Sequence, residues 1–426
     1  MSLIDLENGL NGLTLADPEC LPFGPPENIG GLIDDIPRYL FRVFTPRSRG
    51  ATDTSWTKSM DARDGATTSR VDIFARADEQ QVAEMIHRHL RWEKGPEDNL
   101  VSWTSSLLFA LVYIFHLHAN STDGSTFDEI CLCIIDTTSF PTGVFLRDMD
   151  LIRYYDRFDI KLQRFKGLRL QQHPQLSGYY YFGEYVSQGS LRIEGKCQIV
   201  SAQGMIDRGL YDLRPEFEAY ANWEPQLKPP WANKTIELRE CFYQGIRQGI
   251  SEEGKQAAIN IAQLFDQRWK LPVAVNLISL VPHRSDDTDI LIPFRGDLFT
   301  DDDRRDCSPE RTKVVAYDTL PEVQECALIM QSLYNDYCLR KLTASIGEAE
   351  ASLRNTLMFT LNENLGAEGS ALANQDLVLP DVSYEAALQK LKTISSLTQY
   401  LHRKLGGKQR EGNRSMPARS GYAPGV

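Results

Sequence analysis

The sequence predicts an α+β fold. Strand-like alternation and helix-like spacing are interleaved without the regular strand–helix repeat of a doubly wound sheet. No glycine-rich phosphate loop of the P-loop or dinucleotide-binding type is present. Pro321–Lys341, Ile346–Leu365 and Tyr384–Leu405 have helical spacing. With 426 residues, the chain has the length of roughly two to three domains or one large one. Hydrophobic residues make up 42% and charged residues 24%, ordinary globular values that exclude a disordered chain, a collagen, a disulfide miniprotein and a long coiled coil.

Residues 1–36 are rich in Gly, Pro, Asn and acids and read as a flexible lead-in. Folding is expected to begin at Pro37–Phe44, where Tyr39, Phe41 and Val43 alternate with Leu40, Arg42 and Phe44 as in a strand. Thr45–Ala66 is turn-rich. Val82, Met85, Ile86 and Leu90 lie at helical spacing, with Asp78 as N-cap. The hydroxyl-rich stretch Asp98–Ser106 runs into an apolar helix, Leu107–Leu117. A strand is expected over Ile130–Asp136, a turn at Pro141 and Gly143, and a short apolar run over Val144–Leu146. Ile152–Gln172 is amphipathic and basic. Tyr179–Val186 and Cys197–Val200 read as strands. Leu227–Trp231, with two prolines, is the expected linker between a first part, 37–226, and a second, 232–405. In the second part Lys234–Phe242 reads as a strand, Ser251–Trp269 as a helix, Pro272–Val281 as an apolar strand and Asp297–Asp306 as a loop. Helices follow over Pro321–Lys341, Ile346–Leu365 and Tyr384–Leu405. The Gly/Pro/Arg-rich tail, 406–426, reads as disordered.

Forty-six basic residues against 58 acidic ones give a formal charge of -12. Such a surface repels polyanions on average, which excludes a generic nucleic-acid coat and argues against a DNA partner. A local basic patch still suffices to dock one RNA. The eight cysteines are scattered with no CxxC, so they lack the paired spacing of a zinc site. They read as reduced thiols of a cytoplasmic protein. His87/His89 and His116/His118 are spaced i, i+2 and point to different helical faces, so no metal site is expected. Leu107–Leu117 is too short to span a bilayer, and no membrane association is expected.

Three segments are candidates for chemistry. The first combines Arg42, the hydroxyl cluster Ser102, Thr104 and Ser105, and Glu184 in Gly183-Glu184-Tyr185-Val186-Ser187. A guanidinium clamps phosphate bidentately, and a carboxylate stabilises developing positive charge. The plainer alternative is that Arg42 pairs with a core carboxylate and the serines cap the following helix. The second is Asp302, Asp303 and Asp306, a DDxxD pattern whose acids share one face if helical. They suit a cationic side chain or proton abstraction, or else a solvated loop. The third is the stripe Arg153, Arg157, Lys161, Arg164, Lys166 and Arg169, interleaved with aromatics, with a local charge of +4. It suits a phosphate backbone, or an ordinary amphipathic helix.

The order arginine, Ser-x-Thr-Ser, glutamate resembles the layout of the ADP-ribosyltransferase fold. That family's Glu-x-Glu is replaced by Gly183, Glu184 and Tyr185. Pro37–Thr45, Asp98–Phe115, Gly143–Ile152 and Gly183–Phe217 resemble a fungal family of hypothetical proteins, and the chain's size and overall pattern resemble the fungal arginine-containing cyclodipeptide synthases, whose acidic DDxxE motif has its nearest match in Asp302, Asp303 and Asp306, with aspartate in place of the glutamate. This second resemblance implies a tRNA-dependent transferase of secondary metabolism. It would join arginine and another amino acid, delivered as aminoacyl-tRNAs including arginyl-tRNA, into a diketopiperazine. No cofactor is implied. Asp302, Asp303, Asp306 and Glu184 would be its catalytic acids, Arg42, Ser102, Thr104 and Ser105 its substrate contacts, and Arg153, Arg157, Lys161 and Arg164 its tRNA contacts. The first resemblance implies instead an ADP-ribosyltransferase or NAD glycohydrolase, with NAD as cofactor. A non-catalytic interaction protein on the same fold is the third alternative.

Overall fold

A computed structural model of the chain describes residues 19–26, 36–173, 176–177, 180–244, 249–283, 289–313 and 320–366, with scattered positions between 389 and 403. The lead-in over 1–36 lies mostly outside these residues, as does the helix expected over 384–405, and the tail 406–426 lies wholly outside. Two compact units divide at Thr343/Ala344. The expected linker Leu227–Trp231 therefore falls inside the first.

Among its described residues that unit has eleven strands: β1 Tyr39–Phe44, β2 Ala51–Thr52, β3 Trp56–Lys58, β4 Leu100–Thr104, β5 Cys131–Asp136, β6 Leu146–Arg147, β7 Gln172–His173, β8 Leu176–Ser177, β9 Glu184–Gln188, β10 Ser190–Arg192 and β11 Cys197–Ser201. The main sheet has the order β11-β5-β1-β4-β9-β6, and every pairing is antiparallel. The architecture is mixed α+β, as predicted. A second sheet, β10-β3-β2, stands beside it.

The period of two along β5 explains how the sheet is buried. Leu132 and Ile134 enter a core shared with Leu108, Leu111 and Phe115 of the helix Leu107–Ala119. Cys133 and Ile135 enter another core, with Leu40, Trp103 and Tyr185. Residues on both sides of Leu227–Trp231 share the first of these cores, which extends to Trp269, Val275 and Leu333.

One irregularity decides where the site lies. β1 pairs with β5 over six residues but with β4 only at Phe41↔Thr104. Beyond that point β1 and β4 part, leaving a cleft in the middle of the sheet.

Several expected elements are corrected. Lys234–Phe242 is part of a helix, Trp231–Tyr243. Its buried residues Thr235, Ile236, Leu238 and Arg239 follow helical spacing, i to i+3 and i+4, whereas Ile236 and Leu238 taken alone alternate like a strand. Pro272–Val281 is mostly helix as well, Gln267–Ile278, with every residue from Leu271 to Ile278 buried. A helix buried all round shows no polar period, so its apolar run read as a strand. Asp301–Arg305 is a short helix rather than loop. Ile152–Gln172 contributes to two helices, Asp148–Tyr155 and Ile160–Arg169, and Pro321–Gly366 is one helix.

Candidate functional site

The cleft between β1 and β4 opens into a cavity of about 430 Å³. Arg42, Ser102, Thr104 and Glu184, singled out from sequence, all line it. Arg42 crosses the split. Its Nη1 donates to the Ser102 carbonyl at 3.0 Å and its Nε to Thr52 Oγ1 at 3.1 Å. The core carboxylate considered as its partner is therefore replaced by a carbonyl and a hydroxyl. Thr104 Oγ1 donates to the Phe182 carbonyl at 2.8 Å and accepts from the Ser106 amide at 3.0 Å. Ser106, rather than Ser102 or Ser105, caps the following helix, accepting from the Phe109 amide at 3.0 Å. Ser105 does not line the cavity; its amide donates to the Gly183 carbonyl at 2.8 Å. Gly183 has φ +68, and a Cβ there would stand 2.4 Å from Ser105 Oγ. Glycine is thus required where the chain turns into β9 beside Ser105.

Glu184 lies opposite Thr104 across β4 and β9. Its carboxylate is ion-paired with Arg169, which also stands 3.8 Å from Asp148. All three are buried. Burial pushes the Glu184 carboxyl up against the opposing charge of Arg169. Burial likewise pushes Asp148 up to about 7, with Arg169 opposing.

The cavity also contains a pairing that the sequence reading missed. His89, in the last turn of the helix Glu79–Leu90, places Nδ1 2.8 and 3.0 Å from the two Asp98 oxygens. Its Nε2 lies 2.7 Å from Ser102 Oγ. Asp98 is buried and further fixed, accepting from the Leu100 amide at 3.1 Å. The result is a carboxylate, an imidazole and a hydroxyl in series, with the hydroxyl facing the cavity. No sequence motif joins them. They come from a helix end, a loop and a strand.

Four cations, Arg47, Arg49, Lys58 and Lys94, also line the cavity, with Trp92 and Tyr113 forming an aromatic wall. Trp92 has φ +55, unusual for a bulky side chain. Arg49 holds the Trp92 carbonyl at 3.3 Å, and the ring packs on Tyr113 and Trp231 at centroid distances of 4.8 and 4.7 Å. Among the described residues, no group of three or more His, Cys, Asp or Glu side chains is placed to hold a metal ion.

The acidic cluster lies elsewhere, and none of its members lines this cavity. Asp302 pairs with Arg305 at 2.9 Å on an exposed helix face. Asp303 closes a capping box with Thr300 and accepts from Gln267 at 2.8 Å. Asp306 pairs with Arg311 and lies 3.6 Å from Arg38. The structure thus places all three in local ion pairs and caps, apart from Glu184.

The basic stripe is divided. Arg153 pairs with Asp150 at 3.0 Å, and Arg157 stacks on Tyr154 and Phe158. Lys161 and Arg164 line an open groove with Arg91, Glu93 and Phe165. The turn carrying Arg91 and Glu93 also supplies Trp92 and Lys94 to the cavity, so groove and cavity are neighbours.

Residues 35–191 match the model of a family described as a domain of unknown function, DUF7587. The matched span contains every cavity-lining residue. No curated protein and no solved structure matches the chain. No described helix is long and apolar enough to cross a membrane.

Proposed function

We propose that the chain is a transferase that moves aminoacyl groups from charged tRNA, joining arginine and a second amino acid into a cyclic dipeptide. The supporting observation is the gathering of Arg42, His89, Ser102 and Thr104 in one cleft lined by Arg47, Arg49, Lys58 and Lys94. An aminoacyl ester is already activated. Its transfer needs two donors held in place and a group that shuttles protons, and no ATP loop. His89 supplies the shuttle. The cavity cations suit the phosphates of a tRNA end, and the Lys161–Arg164 groove beside them suits the strand leading to it. The acidic cluster of Asp302, Asp303 and Asp306 has no part in this version, because its carboxylates are engaged by Arg305, Thr300 and Arg311.

The test is untargeted mass spectrometry on extracts of yeast or bacteria expressing the chain, against an empty vector. A new ion with the mass of an arginine-containing cyclic dipeptide supports the proposal. Extracts identical to the control contradict it.

The second reading is ADP-ribosyl transfer or NAD hydrolysis. It is favoured by the meeting of Arg42, Ser102, Thr104 and Glu184 in the same cleft. Weighing against it, the Glu184 carboxylate is already neutralised by Arg169, which reduces its power to stabilise an oxocarbenium-like charge. A thermal shift in millimolar NAD would support this reading, since a ligand far above its Kd raises stability. No shift would remove it.

A further inference from the structure

We propose that Ser102 is a nucleophile that carries the acyl group as a covalent ester, and that the cavity therefore accepts carboxylic esters as a class. The inference shares its cavity with the transferase reading but does not require tRNA. It rests on the series Asp98–His89–Ser102, with contacts of 2.8 and 2.7 Å on the two sides of one imidazole. Asp98 fixes His89 from Nδ1, so Nε2 is directed at the hydroxyl. This is the geometry that converts a weak hydroxyl nucleophile into an alkoxide equivalent at neutral pH. The surroundings match the role. Asp98 is buried, whereas Ser102 is partly exposed and lines the cavity, where an ester carbonyl can approach it. Arg42, bonded to the Ser102 carbonyl, brings positive charge to the same side of the split for the oxyanion.

The step balances without a cofactor. Ser102 Oγ attacks the ester carbonyl carbon while its proton passes to His89 Nε2. The carbon–oxygen bond to the alcohol breaks, and the departing alcohol takes the proton from His89. An amine, or water, then attacks the serine ester and gives a proton to His89. The acyl bond to Oγ breaks, and Oγ regains a proton. With an amine the product is an amide. With water it is a free acid, so esterase activity is the expected side reaction.

The experiment is labelling of the full chain with a fluorophosphonate ester, followed by peptide mass mapping. Oγ displaces fluoride at phosphorus, and the loss of the Oγ proton again needs His89. One phosphonyl adduct on Ser102 is expected, together with hydrolysis of p-nitrophenyl acetate. Ser102→Ala should lose both. His89→Gln and Asp98→Asn should slow labelling on the order of a hundredfold or more while retaining the wild-type melting transition. An unlabelled wild-type chain, or an adduct on another serine, overturns the proposal whatever the variants do. So does an unchanged labelling rate in a folded His89→Gln chain. A Ser102 adduct with no cyclic dipeptide in extracts would uphold the nucleophile and remove the tRNA reading. A cyclic dipeptide without the adduct would do the reverse.

Discussion

Replacing Glu322 by alanine removes the carboxylate that closes a buried network behind the cleft. Arg239 and Glu322 are each 2% exposed. Arg239 Nε lies 3.1 Å from both Glu322 oxygens, and Nη2 lies 2.6 Å from one of them. Ser106 Oγ donates to the same carboxylate at 2.5 Å, and Arg239 Nη1 to the Tyr181 carbonyl at 2.8 Å. Glu322→Ala leaves a guanidinium buried with one carbonyl and the face of Phe182 as its main partners. Breaking a buried pair from one side costs about 3–5 kcal/mol, because the remaining charge has no counter-charge. Ser106 would also lose its hold on Glu322 while still capping the Leu107–Ala119 helix, whose removal alone costs about 1 kcal/mol. The assay is urea unfolding of the full chain, followed by near-ultraviolet circular dichroism. The single variant should lose several kcal/mol, and Arg239→Met with Glu322→Met should recover most of it, since paired replacement of buried ions is often near neutral. A loss below about 1 kcal/mol for Glu322→Ala would refute the argument.

Two buried groups should give stability opposing pH dependences. Burial lowers His116 from 6.5 to about 4, so its contribution is present above pH 6.5 and lost as pH falls towards 4, a difference of roughly 3 kcal/mol. Asp148 is raised from 3.8 to about 7, so its contribution is present below pH 3.8 and lost as pH rises through 7. Asp148→Asn should therefore make stability rise with pH across this window, and His116→Gln should make it fall; melting temperatures at four or five pH values check both signs. Asp302→Ala should leave turnover unchanged, because its carboxylate meets Arg305 on an exposed face. Asp303→Ala should cost about 1 kcal/mol through its capping box, with product yield as the second readout. Glu184→Gln should weaken the Arg169 pair and lower the melting temperature; an unchanged melting temperature would contradict the pairing.

The sheet was legible where the period of two survives and alternate residues enter different cores, as Leu40 and Phe41 do in β1 and Leu132 and Cys133 in β5. The helices after residue 230 were harder. Leu271–Ile278 is buried on every side, and Ile236 with Leu238 alternates like a strand although both lie in a helix. Ser102, Thr104 and Glu184 could be named because each sits in a hydroxyl- or glycine-marked stretch of a strand, and Arg42 because it is the polar insertion in an apolar one. His89 and Asp98 could not. Their meeting depends on the packing of a helix end against the approach to β4, which no spacing encodes. The acidic run read as a loop, whereas a single helical turn forms there and sets Asp301 and Asp302 in i, i+3 ion pairs with Arg304 and Arg305.

The most direct test of the aminoacyl-transfer account is to incubate the purified chain with tRNA charged with radiolabelled arginine and with a second aminoacyl-tRNA, and to follow the label. The account predicts that label leaves tRNA for a small cyclic product with the wild-type chain and stays on tRNA with Ser102→Ala. Label remaining on tRNA with the wild-type chain would contradict it, whereas equal product from both chains would uphold the transfer and remove Ser102 as the acyl carrier.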